Sequence, residues 1–395
     1  MSRAARKRPR NGSVREKNST FISSIRIKGD DKTGSAKFID SCSWMGKKHD
    51  CRRIFHPIVT DEGLCYTFNM LEQKDVLNNH SYIHEYSYKP DTITFTNAWT
   101  VDSGYSPKAG IYTYPRRALL PGSTNSLTVN MFINESDVDY ACTDFQGFQI
   151  VLHQAVQYPL VKNHYFRVPM RKAVIVAITP TQMLNSDDVQ DYSPKKRECY
   201  LQGEKKLNFF KNYTQKNCQF ECITNKTRAV CGCVAFYMPR EAITPICGNG
   251  NSMCMKQVKN NLDWNNLQHS IDNNRGLYDE CECLPMCSML DYETEITEID
   301  YDKFKEYEAL GMKKNQRQNQ KVWSQLVIYF KKVYFIPRVR SELYGHLEFL
   351  ANVGGLLGLF IGFSLLSLFE IIYFLTVRLV CFGYKHWPTN CICSK

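Results

Sequence analysis

The 395-residue chain has no tandem repeat, no low-complexity tract, no P-loop and no G-x-G-x-x-G sequence, so nothing in it marks a nucleotide site. It shows no nucleophile–base constellation, and its histidines have no metal-ligand spacing. His153, His164 and His269 read most simply as surface or packing residues. An enzyme, a cofactor and a resident metal are therefore not expected. The first twenty residues are basic and polar, without the apolar stretch of a signal peptide. Acidic residues are scarce at the same end. Residues 1–41 carry eleven Lys/Arg against four Asp/Glu, which leaves only +4 of the +11 formal charge to the rest of the chain. The basic excess is thus a property of the N-terminal segment, and it does not mark the protein as a nucleic-acid binder.

Cysteine, by contrast, is abundant. Fourteen of the seventeen lie between Cys42 and Cys287, in a region rich in aromatics and turns. In a reducing compartment Cys231-Gly-Cys233 and Cys281-Glu-Cys283 would be weighed as zinc ligands, although C-x-C fits structural zinc poorly. Beside a membrane helix, an oxidising compartment and a disulfide framework are the preferred reading. Sequons at Asn79, Asn134, Asn212 and Asn225 agree with an extracellular face.

Residues 1–41 read as a basic, mostly disordered segment. Its Arg6-Lys-Arg-Pro-Arg10 run is open to three readings: a solvated tail, a nuclear signal or a lipid-headgroup contact. From Cys42 to about residue 179 the pattern is mainly β. The runs Phe148–Leu152 and Ala173–Ile178 are expected as strands, and residues 80–140 as loops and hairpins. Leu207–Val230 reads as helical and is followed by a cysteine-rich knot to Cys287. Ile299–Gln320 reads as an exposed helix or loop, and Gln325–Phe335 as a strand leading to the membrane.

One long apolar run is present. Phe349–Phe369 is uncharged throughout. At about 1.5 Å per residue it spans roughly 30 Å, one bilayer core. Arg378 and Lys385 follow it and Glu342 and Glu348 precede it, which places the C-terminus in the cytoplasm and Cys42–Cys287 outside. Gly354, Gly358 and Gly362 recur every fourth residue and form a helix-packing face. Asn352 and Glu370, 18 residues apart, share one face of a continuous helix, with Leu359 and Phe363 near the same line. Glu370 reads either as a carboxylate facing a water path or as an interfacial group near Arg378. At Gly362-Phe363-Ser364, backbone carbonyls and a hydroxyl are hard oxygen ligands able to replace the water shell of a small cation.

The stretch from Asn352 through Gly354-Gly355, Gly358, Gly362-Phe363-Ser364 to Glu370 closely resembles the second membrane helix of the epithelial sodium channel/degenerin/acid-sensing channel family. Gly63-Leu-Cys65-Tyr-Thr-Phe-Asn69, Tyr192-Ser-Pro194 before Arg197-Glu-Cys199, and Cys281-Glu-Cys283-Leu-Pro-Met-Cys287 match the family as well. The wording from Cys42 to Gly63 is most similar to its insect pickpocket branch. The resemblance implies an α+β membrane protein. A disulfide-rich extracellular domain of palm, thumb and finger type (42–346, thumb-like region about 199–287) would precede one transmembrane helix (347–377) and a cytoplasmic tail (378–395). It implies the pairs Cys199–Cys287, Cys218–Cys283, Cys222–Cys281, Cys231–Cys254 and Cys233–Cys247, with Cys42–Cys51 a further local bridge. The i, i+4 spacing of Cys218 and Cys222, and an i, i+2 strand spacing of Cys281 and Cys283, agree with two antiparallel rungs. The resemblance also implies a homo- or hetero-trimer of related subunits in membrane lipid. Gly362, Phe363 and Ser364 would form the sodium-selective filter, and Asn352, Gly355, Leu359 and Glu370 would be associated with the pore.

Departures from the family pattern shape the expectation. No first membrane helix and no His-Gly gating motif are found, and an outer-pore aspartate is replaced by Asn352. Cys65 and Cys142 are left over, either paired with each other or with Cys65 orphaned by truncation. The expected function is a subunit of an amiloride-sensitive sodium channel gated by its extracellular domain, with Na+ as the permeant ion. A non-conducting regulatory or truncated subunit, or a single-pass receptor, is the alternative.

Overall fold

The computed structural model describes residues 21–22, 25–26, 38–83, 99–101, 104–110, 113–138, 145–162, 164–273, 280–311, 321–343, 345–362 and 364–385. In chain order the elements that matter are β1 (Ile39–Trp44), β2 (Lys47–His49), α1 (Cys51–Ile54), β3 (Phe55–Thr60), β4 (Gly63–Phe68), β5 (Leu127–Asn134), β6 (Phe148–Ile150), β7 (Phe166–Val168) and β8 (Lys172–Asn185). They continue as α2 (Gln215–Cys231), α3 (Ser252–Asn273), β9 (Met289–Asp300), α4 (Lys303–Ala309), β10 (Lys321–Phe330), α5 (His346–Ile361), α6 (Leu365–Leu375) and α7 (Val377–Lys385). Two compact units result. One holds Met1–Leu184 and Ser193–Arg338, the other Asn185–Tyr192 and Val339–Lys395.

The first unit is organised by a sheet in the order β9-β8-β10-β5-β1-β2. All pairings are antiparallel except β8 with β10, which run parallel from Ala173/Gln325 to Ile178/Phe330. Strict alternation in β5 buries Leu127, Val129, Met131 and Ile133 on one face, where they meet Val174, Val176, Ile178, Val322 and Leu326. Burying each such side chain stabilises the fold by about 1.5–3 kcal/mol. The expected strand at Ala173–Ile178 is the first half of a longer one, β8. Residues 80–140, expected as loops and hairpins, contain the sheet strand β5. The expected strand Gln325–Phe335 is shifted: β10 starts at Lys321 and stops at Phe330.

The cysteine-rich part differs from expectation in three places. Leu207–Val230 is not one helix. Residues 207–214 are irregular because the Glu221 carboxylate accepts the Asn208 and Phe209 N–H groups (2.8 and 2.9 Å) and holds that backbone away from α2. The helix starts only at Thr214, whose hydroxyl caps the Asn217 N–H (3.0 Å). Inside the expected knot lies a 22-residue helix, α3. Cys281 and Cys283 are not on a strand either, since Glu282 between them is left-handed (φ 49°). Six disulfides join Cys42–Cys51, Cys199–Cys287, Cys218–Cys283, Cys222–Cys281, Cys231–Cys254 and Cys233–Cys247, with Cα separations of 5.0 to 6.1 Å. These are the pairs the family resemblance implies. Cys65 Sγ lies 3.2 Å from Thr60 Oγ1, and Cys142 falls outside the described residues.

A second core forms where the β3–β4 hairpin meets α2 through Ile58, Met70, Val76, Leu77, Tyr158, Phe210 and Phe220. Two histidines are built into this seam. His56, 7% exposed, faces Thr67 across the hairpin, and the Thr67 hydroxyl is 3.0 Å from His153 Nε2. Burial, helped by the nearby Arg116 guanidinium, pushes His56 down to about 3. Burial also lowers His153, against the opposing influence of the Gln154 carbonyl. Both rings are therefore neutral in the fold at neutral pH, whereas an unfolded histidine titrates near pH 6.5. The fold keeps its full stability above that value and loses it as pH falls from 6.5 toward 3. At pH 5, His56 alone costs about 2 kcal/mol. Thermal melts of the wild type and of His56→Gln should diverge between pH 7 and pH 5, the variant having the flatter profile. Parallel profiles would contradict the burial of a neutral imidazole at this position.

Candidate pore segment

Helix α5 ends because Gly362 adopts a left-handed backbone (φ 67°), with its N–H turned back to the Gly358 carbonyl at 3.1 Å. Only a residue without Cβ takes this conformation at little cost. Two residues later a new helix begins. The Ser364 hydroxyl accepts the Ser367 N–H (3.3 Å), and the Ser364 N–H donates to Ser367 Oγ (3.4 Å), a reciprocal cap that starts α6. Thr376 then ends α6, its hydroxyl donating to the Ile372 carbonyl at 2.5 Å, and α7 follows.

The single membrane helix expected over 347–377 is therefore not found. No single described helix is long and apolar enough to cross a membrane. The pair 346–360 and 365–380 passes that test together, bent by 89° at the break. At about 1.5 Å per residue, neither the sixteen residues of α5 nor the eleven of α6 span a bilayer core alone. The break also removes the reason for placing Asn352 and Glu370 on one face, because that reading assumes an unbroken helix.

Gly362 and Ser364 sit at the break itself, and Phe363 lies outside the described residues. Asn352, Gly355 and Leu359 are exposed on α5, and Glu370 is exposed on α6. Around them the surface is apolar: Leu347 is 84% exposed, and Leu359 and Phe360 are both 79% exposed. A soluble surface rarely carries so continuous an apolar stretch. A Cβ added to Gly354 or Gly355 would meet nothing within 4 Å, so no contact within the chain requires glycine at either position. Ser367 is the residue that sequence reasoning did not place in this site. Its signal was the S-x-x-S spacing from Ser364, hidden within a run read as uninterrupted helix.

The second unit also contains Asn185–Tyr192. The Ser186 N–H donates to the Arg340 carbonyl (2.9 Å), and a hydrogen bond to Glu342 raises the Tyr192 phenol above its ordinary value. The first unit carries the sequons. Asn79 and Asn225 are exposed, Asn212 is half-buried, and Asn134 donates through Nδ2 to Asp137 (2.8 Å). Among the described residues no group of three or more His, Cys, Asp or Glu side chains is disposed to hold a metal ion.

A family model described as amiloride-sensitive sodium channel matches residues 7–374, entering the segment expected to be a tail and ending inside α6. Pickpocket protein 28 of Drosophila melanogaster is 29% identical over 354 residues, 87% of this chain and 57% of that protein. Sodium channel protein Nach of the same species is 23% identical over 347 residues, 86% of this chain and 57% of that protein. The bile acid-sensitive ion channel of Homo sapiens is 26% identical over 172 residues, 43% of this chain and 33% of that protein. The chain thus spans little more than half the length of the first two.

The break rests on the freedom of Gly362, and this can be tested apart from any transport. In detergent micelles, backbone carbon shifts should report a helix break at 362–364 in the wild-type chain. Gly362→Ala, which disfavours the left-handed turn by about 1 kcal/mol or more, should extend helical shifts through it. Identical shifts in the two proteins would show that something other than glycine sets the break.

Proposed function

Because the chain belongs to the amiloride-sensitive sodium channel family, we propose that it is a subunit of a trimeric, amiloride-sensitive channel that passes Na+ down its gradient across the plasma membrane. The observation that carries this reading is the coincidence of the G-x-S sequence with the break between two apolar helices. A helix end leaves carbonyls without partners inside the helix. Next to Ser364 they are the oxygen ligands that a partly dehydrated Na+ requires. Three copies would close the ring, with the open space at Gly354 and Gly355 admitting a neighbouring helix. Asn352 and Glu370 would flank the path on its two sides, and the disulfide-rich unit would lie outside the cell with the C-terminus in the cytoplasm.

Stimuli would reach the pore by way of the backbone. Strand β10 is bonded on both sides in the sheet and leads, after Phe330, toward α5. A shift of β10 against β8 or β5 would pull on the segment that enters the membrane.

Voltage-clamped oocytes test the reading. The chain should give an amiloride-blocked sodium current, either alone or joined to a family first membrane helix at its N-terminus. Ser364→Leu should abolish sodium selectivity without lowering surface expression. Surface trimers with no sodium current in either form would sink the channel reading and leave a regulatory subunit. A monomer at the surface would remove both.

A further inference from the structure

Residues 47–53, Lys-Lys-His-Asp-Cys-Arg-Arg, hold four Lys/Arg against one Asp. That is +3 within seven residues, whereas all of 42–395 carries a formal charge of only +4. The fold fixes the backbone that bears these cations. Strand β2 is the edge strand of the main sheet. Left-handed Met45 and Gly46 (φ 52° and 73°) make the tight turn from β1 into β2, which pairs Ser43 with Lys48 and Trp44 with Lys47. The Cys42–Cys51 bridge, with Cα atoms 5.6 Å apart, then ties the first residue of α1 back to β1. Lys48 and Arg52 thus stand on a covalently closed loop whose backbone is ordered without a ligand.

Little in the chain neutralises this charge. Lys47, Lys48, Arg52 and Arg53 are all exposed. The Asp50 carboxylate lies 3.9 Å from Arg53 and also accepts the Arg52 N–H (3.1 Å). Among the described residues, Lys47, Lys48 and Arg52 have no carboxylate within 4 Å of their charged ends. A further cation comes from another segment. Asn69 pins the Arg116 backbone, its Nδ2 donating to the Arg116 carbonyl (2.7 Å) and its Oδ1 accepting the Arg116 N–H. Burial, then Arg116, then Lys47 lower His49, opposed only by a hydrogen bond to the Trp44 backbone. Burial and Arg116 lower His56 to about 3. Both rings register a positive field that no neighbouring carboxylate offsets. Lysines on an edge strand also keep other strands from pairing with it. That role requires neither Arg52, on α1, nor Arg116.

We propose that the surface formed by Lys47, Lys48, Arg52 and Arg116 binds a sulfated polysaccharide of the extracellular matrix. The proposal rests on the reading that the disulfide-rich unit lies outside the cell. Sulfate esters stay charged at any physiological pH and recur along a flexible chain. Long, mobile cations on a rigid base suit such a ligand, because the base is already ordered and the side chains can follow the sulfates. A nucleic acid would match the charge but not the compartment, since the six disulfides belong to an oxidising one. A bilayer surface would need apolar side chains beside the cations. Among the described residues from 42 to 117, no large apolar side chain is exposed. The driving force is the release of counterions from the polyanion, so affinity falls steeply as salt rises.

The full chain in detergent micelles is bound to immobilised heparin and competed with soluble heparin, desulfated heparin, polyglutamate and a short-chain phosphatidylserine. Soluble heparin should release it, and the other three should not. Lys47→Gln/Lys48→Gln/Arg52→Gln should weaken binding about tenfold at physiological salt and flatten the slope of log affinity against log salt by about two to three. Lys47→Arg/Lys48→Arg, which keeps the charge, should bind as the wild type does, and unchanged thermal melts check that both variants fold. The tail variant Arg6→Gln/Lys7→Gln/Arg8→Gln/Arg10→Gln should keep the binding. Wild-type chain that ignores heparin overturns the proposal. So does binding that survives the triple variant, or that is lost only with the tail. Release by phosphatidylserine or polyglutamate at equal charge overturns it in favour of a lipid surface or an acidic protein. Separately, an antibody to the disulfide-rich unit should stain intact cells. Staining only after permeabilisation overturns the outside placement itself, whatever the purified chain binds.

Discussion

The cysteine-rich part of this protein is held together by covalent and polar ties more than by an apolar stripe. Of the residues that α2 buries, Phe220 is the only large apolar one. The others are Asn217, Cys218, Glu221, Thr224 and Thr227. A helix with so little apolar surface does not dock by the hydrophobic effect alone. Cys218 and Cys222 bind it to Cys283 and Cys281 one turn apart, and Cys231 binds its end to α3 through Cys254. Asn217 fixes its start, accepting the Tyr158 N–H (3.0 Å) and donating to the Val156 carbonyl (3.1 Å). Glu221 fixes the backbone that precedes it. Reduction would remove all three bridges and leave these buried polar groups to carry the helix.

The sheet works differently, and the contrast has a mechanical meaning. Strands β8, β10 and β5 are joined by continuous ladders over an apolar face, with no disulfide among them. Force applied to the stapled helices would reach the sheet through loops such as Gln154–Tyr158. There the Gln154 side chain donates to the Leu290 carbonyl of β9 (2.5 Å), and Val156 and Tyr158 meet Asn217. His153 directly precedes this loop, so the seam that couples the two cores also becomes weaker in acid.

What the sequence revealed follows from the range of the forces involved. The core of β8 was legible because its β-branched run is local, and the cysteine pairs were implied because family motifs fix their order. Strand β5 was missed although Leu127, Val129, Met131 and Ile133 alternate with Thr128 and Asn130, because the Tyr, Thr, Ser, Gly and Pro of the surrounding residues read as loops and hairpins. Helix α3 was hidden for a different reason. Val258 is its one buried large apolar residue, and Trp264, Leu267 and Ile271 are all more than half exposed. The left-handed turn at Glu282 depends on distant partners. Tyr200 Oη (3.2 Å) and Lys205 Nζ (2.7 Å) both donate to its carbonyl. None of these partners is visible in a window of ten residues.

The apolar segment shows the same limit most sharply, because an uncharged run reads as uninterrupted helix whatever its backbone does. At Gly362 that assumption fails, and the consequence can be followed through the hydrogen bonds. The last turn of α5 ends with four carbonyls that have no partner within the helix, and the Gly362 N–H answers that of Gly358. The carbonyls of Leu359, Phe360 and Ile361 still need partners from beyond α5. Ser364 and Ser367 answer each other's N–H groups at the start of α6. In hydrocarbon each unanswered carbonyl would cost several kcal/mol. A break of this kind is compatible with bilayer depth only if it faces water, a cation or another protein chain. That requirement arises from backbone accounting alone, and water, a cation or a neighbouring chain would each meet it.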